Sequence, residues 1–146
     1  MGWRMIDFTK RLLDIARTIK EWSGALVDAS GARRERVARY AEAVADTLGR
    51  AGEAFQRLER SATDKEARRV AIRELGRLAG YVEGIVTALD GRVDGRRIAG
   101  LKRRLEGLAL EGLIADSVAR IDRARIERLA SAEGYFRALA DGLRTS

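Results

Sequence analysis

Cysteine, histidine and proline are all absent from this sequence, and aromatic residues make up only 5% of it. Without cysteine there is no disulfide framework and no thiol nucleophile. Without histidine the commonest general base and the commonest metal ligand are gone. Zinc sites and thiol catalysis therefore have nothing to build on. A carboxylate di-metal centre in a helical bundle draws on Glu-x-x-His pairs, which this chain cannot supply. No glycine-rich phosphate loop of the Walker or dinucleotide type occurs either. The expectation is a protein that is not an enzyme and carries no cofactor and no metal.

Long apolar runs are missing too. None approaches the roughly 20 residues that span a bilayer as a helix. Arg4, Asp7, Lys10 and Arg11 interrupt every stretch that could serve as the core of a signal peptide. The expected location is the cytoplasm, with recruitment to the inner face of the membrane as a second step.

What is present suits a folded chain. Its 146 residues are enough to bury a core, and 46% hydrophobic with 35% charged residues is a globular balance, not a disordered one. With few aromatics the apolar mass is Ala, Leu, Ile and Val, which favours close helix packing. The lack of proline lets helices run without a break. A formal charge of +7, from 29 basic and 22 acidic residues, favours anionic partners without choosing among them.

Apolar residues recur at alternating steps of three and four, the stripe of packed helices. The first run is Met5, Phe8, Leu12, Ile15, Ile19, Trp22 and Leu26. Val37, Ala41, Val44, Leu48, Ala51, Phe55, Leu58 and Ala62 form an unbroken heptad. Ile72, Leu75, Leu78 or Ala79, Val82, Ile85 or Val86, and Leu89 follow, after Thr63 and Glu66 at capping-box spacing. Asp90 to Gly95 makes the clearest turn. Ile98, Leu101, Leu105 and Leu108 form a fourth run. A fifth carries Val118, Ile121, Ile126, Leu129, Phe136, Leu139 and Leu143, with Asp116 or Ser117 as its cap. The last two runs read equally as one bent helix or two.

The predicted segments are 1–29, 32–62, 64–90, 95–112 and 116–143, in one domain. The predicted fold is all-α, an antiparallel up-and-down bundle of four or five long amphipathic helices. Gly76, Gly80 and Gly84, spaced by four, read as a close helix contact in preference to a membrane dimer face.

Two basic runs stand out. Arg92, Arg96, Arg97, Lys102, Arg103 and Arg104 surround the turn; they read either as an anion-binding patch or as a solvated face partly neutralised by Asp94 and Glu106. Arg33, Arg34, Arg36 and Arg39 open the second helix, where positive charge opposes the macrodipole. Aromatics are interleaved with neither, which argues against single-strand binding by stacking.

The first segment is the most informative. At about 100° per residue, Met5, Phe8, Leu12, Ile15, Ile19, Trp22 and Leu26 share one face. Asp7, Asp14 and Glu21 lie near the middle of the opposite face, with Arg4, Lys10, Arg11 and Arg17 on the flanks. Cations at a polar–apolar boundary suit a helix lying in a membrane interface, and Trp3 and Trp22 suit interfacial depth. The same stripe equally suits a bundle helix facing a core. The membrane-contact candidates are Trp3, Phe8, Lys10, Arg11, Leu12, Ile15, Arg17, Ile19 and Trp22.

An amphipathic first helix from Met5 to Leu26, followed by a bundle with basic faces, resembles the four-helix cell-death domains. These are the bacterial Bell domains, the fungal HeLo domains, a plant resistance-type bundle and the bundle of animal necroptosis effectors. The resemblance is one of architecture and carries no diagnostic motif. It implies a bundle held inactive by a partner domain or oligomer, which then inserts at a membrane. Residues 1 to about 29 would be the membrane-active element; Lys10, Arg11, Arg17 and the Arg96 to Arg104 cluster would meet anionic lipid. A regulatory domain would lie beyond Ser146.

Three functions compete. A membrane-targeting effector acting on anionic membranes leads. A protein-interaction module that oligomerises or receives a partner helix is the alternative, motivated by a fifth stripe without a place in a four-helix core. Nucleic-acid association through charge alone is the least favoured.

Overall fold

The computed structural model describes residues 7–26, 28–108, 114 and 118–145. It is a bundle of α-helices. Helix α1 spans Phe8–Trp22 and continues into a 3-10 turn at Ser23–Leu26; α2 is Gly31–Arg60, α3 Lys65–Leu89, α4 Gly95–Leu108 and α5 Arg123–Thr145. Residues 1–6 of the first expected segment and 109–112 of the fourth lie outside the described residues, and α5 begins at Arg123 against an expected start at 116. Its expected cap at Asp116 or Ser117 lies outside the described residues. Asp122 caps α5, accepting from the Arg125 amide at 2.9 Å, so Ile126 to Leu143 of the fifth run lie on a helix of their own, with Val118 and Ile121 before its start.

Short polar side chains start the other helices by taking amide protons that have no partner within the helix. Asp7 caps α1 and Ser30 caps α2. At α3 the cap is Asp64, not Thr63: its carboxylate accepts from the Ala67 amide at 2.9 Å. A carboxylate also complements the helix dipole, and Asp64 is held from the other side by Arg57 at 3.1 Å. Between α3 and α4 the chain reverses through Gly91, whose φ of +85° is a left-handed conformation that side chains resist.

Cross-helix ion pairs give the directions. Arg123 meets Glu59, Arg137 meets Asp46, and Arg144 meets Glu35, so α5 runs antiparallel to α2. Arg57 to Asp64 and Arg50 to Glu74 make α2 and α3 antiparallel. Asp14 to Arg104 sets α1 against α4. The principal neighbours form a closed ring, α1 to α5 to α2 to α3 to α4 and back to α1. Five staves of alternating direction cannot close a ring without one parallel neighbour pair. That pair is α1 and α5: the start of α1 lies against the start of α5 through Asp7 and Arg128.

The last helix is therefore inserted between α1 and α2, which the chain connects through residues 23–30. The fifth stripe has its place in the core. Ile126, Leu129, Phe136, Leu139 and Leu143 are all buried there, and the chain's three phenylalanines, Phe8, Phe55 and Phe136, are at most 1% exposed. Helix α2 faces α3 and α5 at once, which explains why Ala38, Ala45 and Ala54 are buried beside its heptad. Two expected stripe members fall outside the core. Ala62 lies beyond the end of α2 and is exposed. Ile72 is 42% exposed, because the α3 seam runs through Ala67, Ala71, Leu75 and Leu78.

Candidate anionic-surface site

The apolar face of α1 is docked. Phe8, Leu12 and Ile15 are 0% exposed and Ile19 is 1% exposed, against α5 and α4. Trp22 is half-buried at the edge of the core. Trp3 lies outside the described residues. The membrane-contact candidates therefore divide: the apolar ones face the core, Lys10 and Arg17 face solvent, and Arg11 is partly covered. The Arg11 guanidinium lies against Gly107 of α4, in space that a side chain at that position would fill.

Asp7 does not lie on an outward polar face. It is 8% exposed, with its carboxylate accepting from the Thr9 amide at 2.7 Å and the Thr9 hydroxyl at 2.6 Å. Its second oxygen is flanked by Arg125 at 2.9 Å and Arg128 at 3.0 Å, both from α5. The helical wheel missed this because Asp7 precedes the first helical turn, and an N-cap does not share the helix's angular pattern. Burial pushes the Asp7 carboxyl up, but the Thr9 hydrogen bonds and the two arginine charges outweigh it and hold it below its ordinary value. Asp14, on the exposed face, pairs with Arg104 of α4 at 2.9 Å. Two acids of α1 are thus consumed by fastening it to its neighbours. Among the described residues Lys10, Arg17 and Lys20 have no carboxylate partner, which leaves the outward side of α1 basic with Glu21 as its free acid.

The fold also joins the two basic runs. Arg33 at the start of α2 donates to the Ala88 carbonyl at the end of α3 at 3.1 Å. The first turns of α2 therefore sit beside the α3–α4 turn, and Lys20 at the end of α1 shares a surface hollow with Arg34. Lys20, Arg36, Arg92, Arg96 and Arg97 consequently belong to one end of the bundle. Of the turn cluster, Lys102 pairs with Asp90 at 3.5 Å and Arg104 with Asp14. Asp94 is occupied by the Arg96 amide at 2.8 Å. The side chains of Arg92, Arg96, Arg97 and Arg103 are exposed, and none forms an ion pair among the described residues. Arg103 and Arg104 lie further down α4, on its flank.

The glycine row behaves differently from the expectation. Only Gly84 makes a close approach, with the Tyr40 ring so near that an added Cβ would lie 2.7 Å from its Cζ; Gly76 and Gly80 face open space. Sequence inspection also missed Glu74, an acid 1% exposed inside the α3 seam. Arg50 of α2 and Arg77 one turn along α3 pair with it. Burial raises the Glu74 carboxyl, and the two arginines more than offset this, leaving it below its ordinary value.

Among the described residues no three acidic side chains gather to hold a metal ion. No helix among them is long and apolar enough to cross a membrane. No protein-family model, no curated protein and no solved structure matches the chain.

Proposed function

We propose that the protein is a non-catalytic, membrane-directed effector bundle of the cell-death or defence type, held in a resting form with its first helix docked. The observation that carries this reading is the division of charge on α1. Asp7 and Asp14 are spent on Arg125, Arg128 and Arg104, while Lys10, Arg17 and Lys20 stay open to solvent on the same helix. An anionic surface would meet a basic outward side of α1 and a basic bundle end together.

The energetics set the conditions for release. Burying Phe8, Leu12, Ile15 and Ile19 stabilises the docked state by about 2 kcal/mol each, or about 8 kcal/mol together. That is comparable to the whole net stability of a domain, about 5–15 kcal/mol. Helix α1 does not leave in water. It leaves only where its apolar face is covered again, as in the interfacial layer of a bilayer. Ile72 is the one large hydrophobic residue well exposed among the described residues, which favours this reading over an adaptor with an open helix-receiving stripe.

The test uses the full chain. Removing residues 1–29 would bare the faces of α4 and α5 that α1 covers, and Leu12→Glu would place a charge in the core. Asp7→Asn is cleaner, since asparagine caps a helix as well as aspartate does while the bridge to Arg125 and Arg128 loses its charge. Wild type and variant are compared on dye-loaded vesicles of phosphatidylglycerol with phosphatidylcholine, with phosphatidylcholine alone as control. The expected result is sedimentation with the anionic vesicles only, and faster dye release by the variant at unchanged helicity. Failure of both proteins to sediment with anionic vesicles at low salt would overturn the proposal.

A further inference from the structure

On the flank between α2 and α3 lies a cleft of about 310 Å³ lined by Arg36, Arg39, Tyr40, Ala43 and Tyr81. Two of the chain's three tyrosines form its walls, and two arginines stand beside them.

Both walls are fixed. Tyr40 lies across α3 at Gly84, a position that its ring reaches only because glycine leaves the backbone bare. Tyr81 is held at its other end, where its hydroxyl accepts from Arg77 at 2.9 Å. Arg77 also sits 5.8 Å from the centre of the Tyr81 ring and donates to Glu74 at 3.2 Å. Glu74 is anchored in turn by Arg50, which reaches Thr47 at 3.2 Å. A buried carboxylate is costly unless paired. Here it is the fixed point of a chain of contacts that ends on the cleft wall, the kind of support that holds a binding geometry ready.

The arginines are available. Arg36 has no ion pair among the described residues. Arg39 lies in the field of Glu35, whose carboxylate is taken by Arg144. Two guanidinium groups suit a dianion, because a phosphate monoester carries a charge of about −1.5 to −2 at neutral pH and offers several acceptor oxygens. Two tyrosine rings in the lining suit a flat ring, and the volume fits a small molecule at the lower end of ligand-pocket size, about 300 Å³ and upward.

We propose that this cleft binds a small aromatic phosphomonoester, its phosphate between Arg36 and Arg39 and its ring against Tyr40 and Tyr81. The site stands apart from the membrane reading, since it needs neither a surface nor the release of α1.

The experiment is a titration of the full chain with phenyl phosphate in vesicle-free solution, followed by amide chemical shifts. Inorganic phosphate and benzyl alcohol are titrated in parallel. Perturbations centred on Tyr40, Gly80, Tyr81 and Gly84 are expected, with phenyl phosphate binding more tightly than either half alone. R36Q and R39Q, both at exposed positions, should each weaken binding about tenfold, as the loss of one charge-assisted contact predicts. Ala43→Leu, which keeps a good helix former while filling the cleft, should abolish binding in a folded protein. Equal affinity for inorganic phosphate, shifts spread over every basic face, or undiminished binding to A43L would each overturn the assignment.

Discussion

Asp7 and Arg128, 121 positions apart in the chain, meet at 3.0 Å and join the start of the first helix to the start of the last. Arg125 meets the same oxygen at 2.9 Å. The pairing fixes more than one contact. It sets α1 and α5 side by side in the same direction, and so determines which two staves of the ring are parallel. It also spends an acid that would otherwise oppose the approach of α1 to an anionic surface.

Asp7→Ala removes a helix cap, worth about 1 kcal/mol. It also strands two arginines that are 19% and 25% exposed, a smaller loss than the 3–5 kcal/mol of a fully buried pair. A total of about 3 kcal/mol is expected, against about 2 kcal/mol for Asp7→Asn, which keeps the cap. Urea denaturation gives both numbers. Equal and negligible losses would mean that the clasp contributes nothing to folding.

The pH dependence follows from the direction of the shifts. Asp7 and Glu74 are both held below their ordinary values. A carboxyl with a depressed folded pKa contributes stability that is fully present above its unfolded pKa, about 4. That stability is lost as pH falls through the lower folded value. The chain has no histidine, so no side chain of ordinary pKa titrates between about pH 5 and 8. The urea midpoint should therefore be flat across that window and fall only in stronger acid, and Asp7→Asn should fall less steeply. A midpoint that drops between pH 7 and pH 5 would contradict this.

The helices were legible because each buries its own stripe, and burial of Leu12, Leu48, Leu75 or Leu105 leaves a period-three-and-four trace in the chain. Neighbour order leaves no such trace. Nothing local to residues 123–145 says that α5 lies between α1 and α2; that follows from pairs such as Arg144 with Glu35 and Arg137 with Asp46, set by the whole packing. Caps were legible only to within a residue, because Thr63 and Asp64 both have the right chemistry and the Arg57 contact decides between them. Asp7 was misread and Glu74 passed over for a shared reason. A charged residue is assigned to solvent by type, while Asp7 and Glu74 are made tolerable inside by arginines distant in sequence.

Two of the three glycines of α3, Gly80 and Gly84, should respond in opposite ways to alanine. At Gly80 an added Cβ meets nothing within 4 Å, so Gly80→Ala gains helix propensity and stabilises by about 0.5–1 kcal/mol. At Gly84 the same methyl would lie 2.7 Å from the Tyr40 ring. Tyr40 must swing away and lose its packing on α3, which cancels or reverses the gain. A difference of about 1 kcal/mol between the variants in thermal or urea unfolding is expected. A stabilisation at Gly84 equal to that at Gly80 would mean the Tyr40 contact carries no energy.

The basic end of the bundle gives the last prediction. Arg96 and Arg97 are exposed on the first turn of α4 with no ion pair among the described residues, so Arg96→Gln with Arg97→Gln should leave the fold intact. Positive charge at a helix start opposes the dipole, and the double variant should even gain a few tenths of a kcal/mol in stability. On vesicles containing phosphatidylglycerol each lost cation removes about 1 kcal/mol of attraction. The double variant should therefore bind about 30-fold more weakly, with a shallower dependence on salt. Arg68→Gln with Arg73→Gln, on α3, removes the same charge elsewhere and serves as the control. If both double variants lose affinity equally, the attraction belongs to net charge and not to the end that the fold assembles.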